Sequence, residues 1–448
     1  MTVRITAGLT LAAMATFAAG PLAAQQSKTA DPATHNFVLI PERQTGTFAD
    51  ATATNMPSAP NLHTTDSTFV DVDSDGDLDV AVSVEMGANR LYLNDGKGKL
   101  TYKPGVYGDD VRDSEHVRHA DFDGDGNQDV VFVAEANEVH QLFMGDGKGG
   151  FTDASDRLPA SSQGNGLAIG DVNGDGLPDI FVGSTGEIGY GPGMKLRPAR
   201  NLLFLNNPDN RGHFIDATQT HLPQTDDQTE GVALADMDGD GDLDVVLASP
   251  SHDNRLLFND GKGRFTDESS RLDLRVPMET RDVHVLDVNK DGLLDIAFFN
   301  ITSNNMNWDK DPQTRLLVND GNGRYVDETE QRLPAHRFSS WAGRVVDFNS
   351  DGSSDLLVSA IDVPGFVPLQ VRAWQNDGTG KFADVTSTVI PGITVGRGWS
   401  IGKGDLDGDG REDIVVGGWG TQARLLLTDV KGYQASLPPH EEIQPQSK

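Results

Sequence analysis

The chain has 448 residues, a formal net charge of -32 and no cysteine. So acidic a surface repels nucleic-acid phosphates and anionic membranes, and the lack of cysteine excludes disulfides, thiolate nucleophiles and zinc–thiolate sites. Hydrophobic residues make up only 37% of the chain, so we expect many small elements rather than one large core.

The first 24 residues have the layout of a cleavable secretory signal peptide. Arg4 is followed by a short apolar run, and small residues up to Ala24 precede the predicted cleavage site. The run is too short for a membrane span, although a membrane anchor or a buried helix is the alternative interpretation. We therefore expect a signal peptide over 1–24, a linker over 25–35, and a secreted or periplasmic protein without a membrane span.

A single acidic motif recurs along the rest of the chain. The pattern is Asp-x-[Asp/Asn]-x-Asp-Gly-x-x-Asp, and its copies are 50 to 65 residues apart. An aliphatic or β-branched run such as DVVFVA follows each copy, which indicates a β-strand. We call the copies loops 1 to 7; they begin at Asp71, Asp121, Asp171, Asp236, Asp287, Asp347 and Asp405.

The sequence between the loops repeats as well. An apolar strand, a glycine turn and an aromatic strand recur, as in RLYLNDGKGKLTY from Arg90, and the Asn-Asp-Gly turn is typical of a hairpin. A further apolar stretch precedes each loop, so one unit comprises four strands, with the acidic loop joining the first strand to the second. Four-stranded units repeated at this length are typical of a β-propeller.

We therefore predict an all-β fold, a seven-bladed β-propeller of four-stranded blades over residues 36–437. The segment that begins at Asn36 resembles the third and fourth strands of a unit, and we expect its last strand to complete the seventh blade. An eight-bladed ring is left open. The tail over 438–448 is rich in Pro and Gln and is expected to be disordered.

Oxygen ligands at alternate positions of a short loop, with a glycine at the sharp turn, form a cage for a hard cation of the size of calcium. We expect side chains to bind at positions 1, 3, 5 and 9 and the backbone carbonyl at position 7. Magnesium suits these loops less well because it requires strict octahedral geometry. The predicted ligand residues are Asp71, Asp73, Asp75, Asp77, Asp79, Asp121, Asp123, Asp125, Asn127, Asp129, Asp171, Asn173, Asp175, Leu177, Asp179, Asp236, Asp238, Asp240, Asp242, Asp244, Asp287, Asn289, Asp291, Leu293, Asp295, Asp347, Asn349, Asp351, Ser353, Asp355, Asp405, Asp407, Asp409, Arg411 and Asp413.

Variation among the copies supports this ligand pattern. Position 7 is Asp, Asn, Leu, Ser or Arg in different loops, whereas the other ligand positions are always Asp or Asn. A side chain that is free to vary is expected where only the backbone binds. A solvated Asx turn is the alternative for any single loop, but seven copies in register favour up to seven structural calcium ions.

The motif resembles the FG-GAP or VCBS-type repeat of the calcium-binding propeller in integrin α subunits and in exported bacterial proteins. The resemblance covers roughly residues 36 to 435. It implies a seven-bladed ring with structural calcium loops on one face and ligands on the other. We expect a monomer.

Residues near the start of each first strand are the candidates for the ligand face. The residue six positions before each loop differs in almost every unit. The residue three positions before each loop is Arg or His in three of the units. Ion pairs within the ring and packing between blades are the alternative roles. With Trp308, which lies in a connecting segment, the candidates are Glu115, Arg118, Glu230, Arg281, His284, Trp308, Trp341, Arg344 and Trp399.

Two classes of function remain open from the sequence. The first is a non-enzymatic binding module for a protein or a glycan, and an assembly or redox partner in a periplasmic complex cannot be separated from it. The second is a polysaccharide lyase that acts by β-elimination on a uronic-acid glycan. A lyase needs an Arg to neutralise the substrate carboxylate and a His as base; no catalytic residue is assigned, but the available side chains are Arg118, Arg281, Arg344, His63, His116, His119 and His284.

Overall fold

The computed structural model describes most of the repeat region. The predicted signal peptide, the linker over 25–35, the tail over 438–448 and Trp308 lie outside the described residues. All described residues belong to one compact unit, Leu39–Lys448. They are 47–135, 139–159, 163–186, 200–250, 253–274, 276–302, 310–362, 367–394 and 398–428.

The described residues form mainly short strands. In chain order these are β1 (Phe48–Asp50), β2 (His63–Val70), β3 (Asp79–Gly87), β4 (Arg90–Leu93), β5 (Thr101–Lys103), β6 (Arg112–Ala120), β7 (Asp129–Ala134), β8 (Gln141–Gly145), β9 (Phe151–Asp153), β10 (Gly164–Gly170), β11 (Asp179–Ser184), β12 (Leu202–Asn206), β13 (Phe214–Asp216), β14 (Gly231–Ala235), β15 (Asp244–Ala248), β16 (Arg255–Asn259), β17 (Phe265–Asp267), β18 (Glu279–Leu286), β19 (Asp295–Ile301), β20 (Arg315–Asn319), β21 (Tyr325–Asp327), β22 (Gly343–Val346), β23 (Asp355–Val358), β24 (Ile361–Asp362), β25 (Val367–Pro368), β26 (Arg372–Asn376), β27 (Phe382–Asp384), β28 (Gly398–Gly404), β29 (Asp413–Gly418) and β30 (Arg424–Thr428).

Helices are short and lie beside the strands. The α-helices are α1 (Thr52–Asn55), α2 (Thr218–His221), α3 (Thr329–Arg332) and α4 (Thr386–Val389), and single 3-10 turns span Ser155–Arg157, Ser269–Arg271 and Gly392–Thr394. Within the described ranges, every helix is too short or too polar to cross a bilayer.

The strands pair as an all-β propeller of four-stranded blades. Five sheets of four strands stand alone: β10 to β13, β14 to β17, β18 to β21, the set β22, β23, β26 and β27, and the set β28, β29, β30 and β1. The units β2 to β5 and β6 to β9 are instead joined in one eight-stranded sheet, because β3 pairs with β6. The predicted number of blades, seven, is therefore too high, because the structure has five separate four-stranded sheets.

The N-terminal strand closes the last sheet, as predicted. Strand β1 pairs antiparallel with β30, and Ala49 lies opposite Leu427. The first described strand and the last thus belong to the same sheet, which joins the two ends of the repeat region. Because no disulfide can form in this chain, backbone hydrogen bonds and side-chain packing hold this junction.

Apolar side chains fill the space between neighbouring sheets. Strand β7 is buried over its whole length, as expected for a central strand packed on both faces. Its Val131 and Val133 lie in one core cluster with Leu167 from β10 and Val182 from β11. Successive sheets therefore share cores, which explains how a chain with a low apolar content builds a stable fold.

Strand direction divides the ends of the strands into two groups. Each acidic loop joins the end of a first strand to the start of the second, as β2 and β3 flank loop 1. Since all strands within a sheet are antiparallel, the hairpin turns between third and fourth strands lie at the same end, which we call the loop face. The starts of the first strands and the ends of the second strands lie at the other end, the opposite face.

Candidate functional site

Each acidic loop is held by the carboxylate of its first Asp. In loop 2, Asp121 Oδ1 accepts a hydrogen bond from the backbone N–H of Gly124 at 2.7 Å, and Oδ2 accepts one from Gly126 at 2.9 Å. Gly126 has φ of +90°, a conformation that favours glycine. The bond from position 6 to position 1 recurs in all seven loops, so the motif's glycine fixes the turn.

The Asp at position 9 joins the loop to the rest of its blade. Asp129 accepts backbone hydrogen bonds from Phe122 in the loop at 2.9 Å and from Gly145 at the end of the third strand at 2.8 Å. The bond from the third strand recurs in every loop. Burial raises the pKa of Asp129 to about 7, although the backbone hydrogen bonds oppose this. The protein thus buries a carboxylate that costs free energy when it is ionised without a cation.

Carboxylates from positions 1, 3 and 9 converge in four of the loops. Their oxygens lie within 4.8 Å of one another in loops 1, 2, 4 and 7, the four loops that have Asp at position 3. The position-5 carboxylates lie outside these groups; each accepts the backbone N–H of position 7, as Asp125 does from Asn127 at 2.8 Å. The converging trios are Asp71, Asp73 and Asp79; Asp121, Asp123 and Asp129; Asp236, Asp238 and Asp244; and Asp405, Asp407 and Asp413.

The donor set fits a calcium ion. In loop 1, Asp73 Oδ1 and Asp77 Oδ1 are buried without a hydrogen-bond partner. Burial, together with the charges of Asp75 and Asp71, raises the pKa of Asp73. Carboxylate oxygens that repel one another and lack donors are stabilised by a hard divalent cation. The side chains at positions 1, 3 and 9 are those that would hold it, and the ion would supply the positive charge that the loop lacks.

A further recurring residue, which the sequence reasoning treated only as part of a turn, connects neighbouring units. Asn206 ends a third strand, and its Nδ2 donates to the carbonyl of Phe122 in loop 2 at 2.8 Å and to that of Pro178 in loop 3 at 3.2 Å. The same double contact is made by Asn94, Asn259 and Asn376. Three of these four Asn residues precede Asp-Gly, and this recurrence was the signal for the role, because a hairpin turn alone does not require Asn.

An aromatic column lies on the opposite face. Trp341 stacks on Trp399 with ring centroids 4.4 Å apart, Trp399 on Trp419 at 4.6 Å, and Trp419 on His63 at 4.1 Å. The guanidinium of Arg281 lies 5.7 Å from the ring centroid of Trp341. The structure thus brings together three of the predicted face residues, Arg281, Trp341 and Trp399, and adds Trp419 and His63. His63 was considered only as a base.

Carboxylates occupy the other side of the same face. Arg281 forms ion pairs of 2.6 Å with both Glu230 and Glu279. Oxygens of Glu85, Asp113 and Glu115 lie within 4.8 Å of one another. Burial and the surrounding carboxylates raise the pKa of Glu115 well above its usual value.

The acidic side meets the aromatic column at two points. Arg281, which pairs with Glu230, lies beside Trp341. His63, at the other end of the column, lies opposite Glu85 in the strand pairing. The aromatic column on the opposite face is therefore flanked by acidic residues at both of its ends.

The remaining candidates contact other residues of the protein. Arg118 forms an ion pair with the buried Asp66, and His284 lies 3.3 Å from Asp282. The guanidinium of Arg344 donates to the carbonyl of Ile401. Pairing within the ring, the alternative considered from sequence, is thus what the structure shows for Arg118 and His284. Among the arginines named for a lyase, Arg118 and Arg281 already neutralise protein carboxylates.

Comparisons with known proteins agree with the repeat structure. The FG-GAP-like repeat matches residues 71–132, 121–182, 196–247, 236–298 and 365–416. The chain is 29% identical over 205 residues to cartilage acidic protein 1 of Xenopus tropicalis, which is 44% of this chain and 28% of that protein. It is 28% identical over 201 residues to cartilage acidic protein 1 of Homo sapiens, with the same shares. The chain thus spans little more than a quarter of the length of these relatives.

Among solved structures, the chain resembles BBS1N in its complex with ARL6DN. The TM-score is 0.50 at 10% sequence identity, and the match covers 87% of this chain and 99% of that one. A likeness at this identity concerns the fold alone. The family assignment rests on the matched repeats, which together span more than half of the sequence. The chain is a member of the FG-GAP-like repeat family.

Proposed function

We propose that the protein is an exported, calcium-stabilised β-propeller that acts as a non-enzymatic binding module for a protein or glycan. The observation that carries this proposal is that acidic residues flank the Trp341–Trp399–Trp419 column on the opposite face. Tryptophan is enriched where proteins bind partners, and differing side chains on a common scaffold provide specificity. The loop face, in contrast, repeats one chemistry seven times.

Calcium would stabilise the folded protein rather than take part in a reaction. The converging carboxylates of loops 1, 2, 4 and 7 are the best candidates, and the loops with Asn at position 3 would bind more weakly because they offer one charge fewer. Up to seven ions would offset much of the chain's net charge of -32. The ions take the place that disulfides often have in exported proteins.

The ion pairs that two of the candidate arginines form with protein carboxylates favour binding over catalysis. A lyase needs a cation free to neutralise a substrate carboxylate, whereas Arg281 contacts Glu230 and Glu279 and Arg118 contacts Asp66. The signal-peptide layout of residues 1–24 supports a secreted or periplasmic location. We propose a monomer that does not bind nucleic acid.

A binding array tests the proposal. Labelled protein in calcium buffer is applied to immobilised glycans and peptides, in parallel with a Trp341→Ala variant and with Lys262→Ala, an exposed control on the loop face. Ligands of the opposite face should bind Trp341→Ala at least about tenfold more weakly and the control unchanged. A thermal melt checks that both variants fold. Ligands that bind both variants like the wild type would place the binding site elsewhere.

A further inference from the structure

The seam that joins the first two units has an unusual backbone. Strand β3 runs beyond its own sheet and pairs with β6, with Glu85 opposite Asp113 and Gly87 opposite Arg112. The register shifts between these pairs, so Met86 is the extra residue of a bulge, and its φ is +56°. Positive φ is rare for a residue with a long side chain, and bulges of this kind re-aim side chains.

Three large apolar side chains are exposed at this seam. Met86 is 63% exposed, Val111 71% and Val139 54%. Val111 precedes Arg112, and the Arg112 guanidinium donates to the carbonyl of Val139. Among the described residues, large apolar side chains are exposed at six positions, and the other three are Ile215, Leu293 and Val367. Three of these six residues are therefore Val139, whose carbonyl Arg112 contacts, and the neighbours of Gly87 and Arg112 in the chain.

Carboxylates lie directly beside the apolar residues. Glu85 precedes Met86, and its carboxylate is grouped with those of Asp113 and Glu115. Burial raises the pKa of Glu85 to about 8, and the neighbouring Asp113 and Glu135 add to this. The carboxylate groups near Glu85 oppose its ionisation, so a cationic side chain of a partner protein would stabilise the ionised form of Glu85.

We propose that the Met86–Val111–Val139 seam docks a basic amphipathic segment of a partner protein, whose apolar side chains cover the three residues and whose Lys or Arg side chains contact Glu85, Asp113 and Glu115. This rests on the proposed function, since it assigns a partner class to one sector of the opposite face. Charge complementarity selects the partner, because a basic side chain would offset the repulsion between the Glu85 and Glu115 carboxylates, whereas an acidic segment would add to it and a neutral one would leave it in place. The eight-stranded sheet provides a continuous, hydrogen-bonded platform beneath the seam.

Defined peptides test the proposal. A short fluorescein-labelled peptide of leucine and lysine is titrated with calcium-loaded protein at moderate salt, and binding is read by fluorescence anisotropy. Two control peptides replace lysine by glutamate or leucine by serine. The protein variants are Met86→Ser with Val111→Ser, and a matched control, Ile215→Ser with Val367→Ser, whose residues are 51% and 50% exposed.

The seam variant should bind the leucine–lysine peptide about tenfold more weakly or worse, and the matched control should bind it like the wild type. Both control peptides should bind weakly to every protein. Equal affinities of the seam variant and the wild type would overturn the proposal, as would tight binding of the serine–lysine peptide, which would indicate charge attraction alone. If excess calcium displaces the peptide equally from the wild type and from the seam variant, the carboxylates form a metal site instead, and the proposal is overturned.

A second comparison separates failure of the seam from failure of the proposed function. If array ligands require Trp341 while the peptide is insensitive to Met86→Ser with Val111→Ser, only the seam is rejected. If the peptide depends on the seam but array ligands do not require Trp341, the aromatic column is rejected as a binding surface.

Discussion

The side-chain nitrogen of Asn94 lies 2.7 Å from the carbonyl oxygen of Leu406, and 3.0 Å from that of Leu78. Leu78 belongs to loop 1 and Leu406 to loop 7, so one amide joins the first acidic loop to the last. The backbone N–H of Asn94 also donates to Asp79 of loop 1. The loops therefore act as joints between neighbouring units as well as candidate metal cages.

The equivalent joint between loops 5 and 6 can be removed by Asn376→Ala. This side chain is 1% exposed and donates to Val288 and Ser354. Two carbonyls would lose their donor and the backbone N–H groups of Gly378 and Gly380 their acceptor, so the free energy of unfolding should fall by about 2–4 kcal/mol. Chemical denaturation measures it, with the exposed Asn322→Ala as control. If the free energy of unfolding falls no further for Asn376→Ala than for the control, Asn376 does not join the two loops.

Calcium should raise the melting temperature, because a ligand that binds only the folded state stabilises it. Chelator should lower it, and equal melting temperatures in calcium and in excess chelator would count against the metal loops. In loop 2, Asp123→Ala should reduce the number of bound ions by one in equilibrium dialysis. The exposed Asp209→Ala, outside the loops, should leave the stoichiometry unchanged.

Stability should depend on pH through Glu85. Its pKa in the folded protein is raised to about 8 from 4.5, so the folded protein retains a proton that the unfolded chain releases between these values. The resulting stabilisation is fully present below about pH 4.5 and is lost as pH rises through about 8.

Glu85→Gln removes the titrating group without changing the size of the side chain. In saturating calcium the variant should therefore be more stable than the wild type at pH 9, by up to about 5 kcal/mol, and equally stable near pH 4.5. The exposed Glu330→Gln serves as control. Parallel pH profiles of the wild type and Glu85→Gln would exclude Glu85 as the source.

Local patterns predicted the parts of the fold that depend on neighbours in sequence. The loops, the strand after each loop and the hairpin turns followed from spacing, and the pairing of β1 with β30 followed from an incomplete unit at the start of the repeats. The fusion of two units did not follow, because it depends on the bulge at Met86 and on pairing between Gly87 and Arg112. The stacking of His63 on Trp419 joins residues that are distant in the chain, and no period in the sequence encodes it.

The last prediction concerns the aromatic column. Trp399 is stacked between Trp341 and Trp419, and closely stacked indoles couple their excited states, which gives a paired signal in circular dichroism. Trp399→Phe keeps an apolar ring but removes the middle indole, so this signal should be lost while the protein remains folded.

Trp374→Phe provides the matched control for this measurement. Trp374 is fully buried and packs against His336 and Phe338 rather than against another indole. Its replacement should leave the paired signal intact, even if it lowers the melting temperature. A spectrum that Trp399→Phe and Trp374→Phe alter equally would show that the three indoles do not form a column in solution. A ligand that binds along the column should change the same signal in the wild type and not in Trp399→Phe.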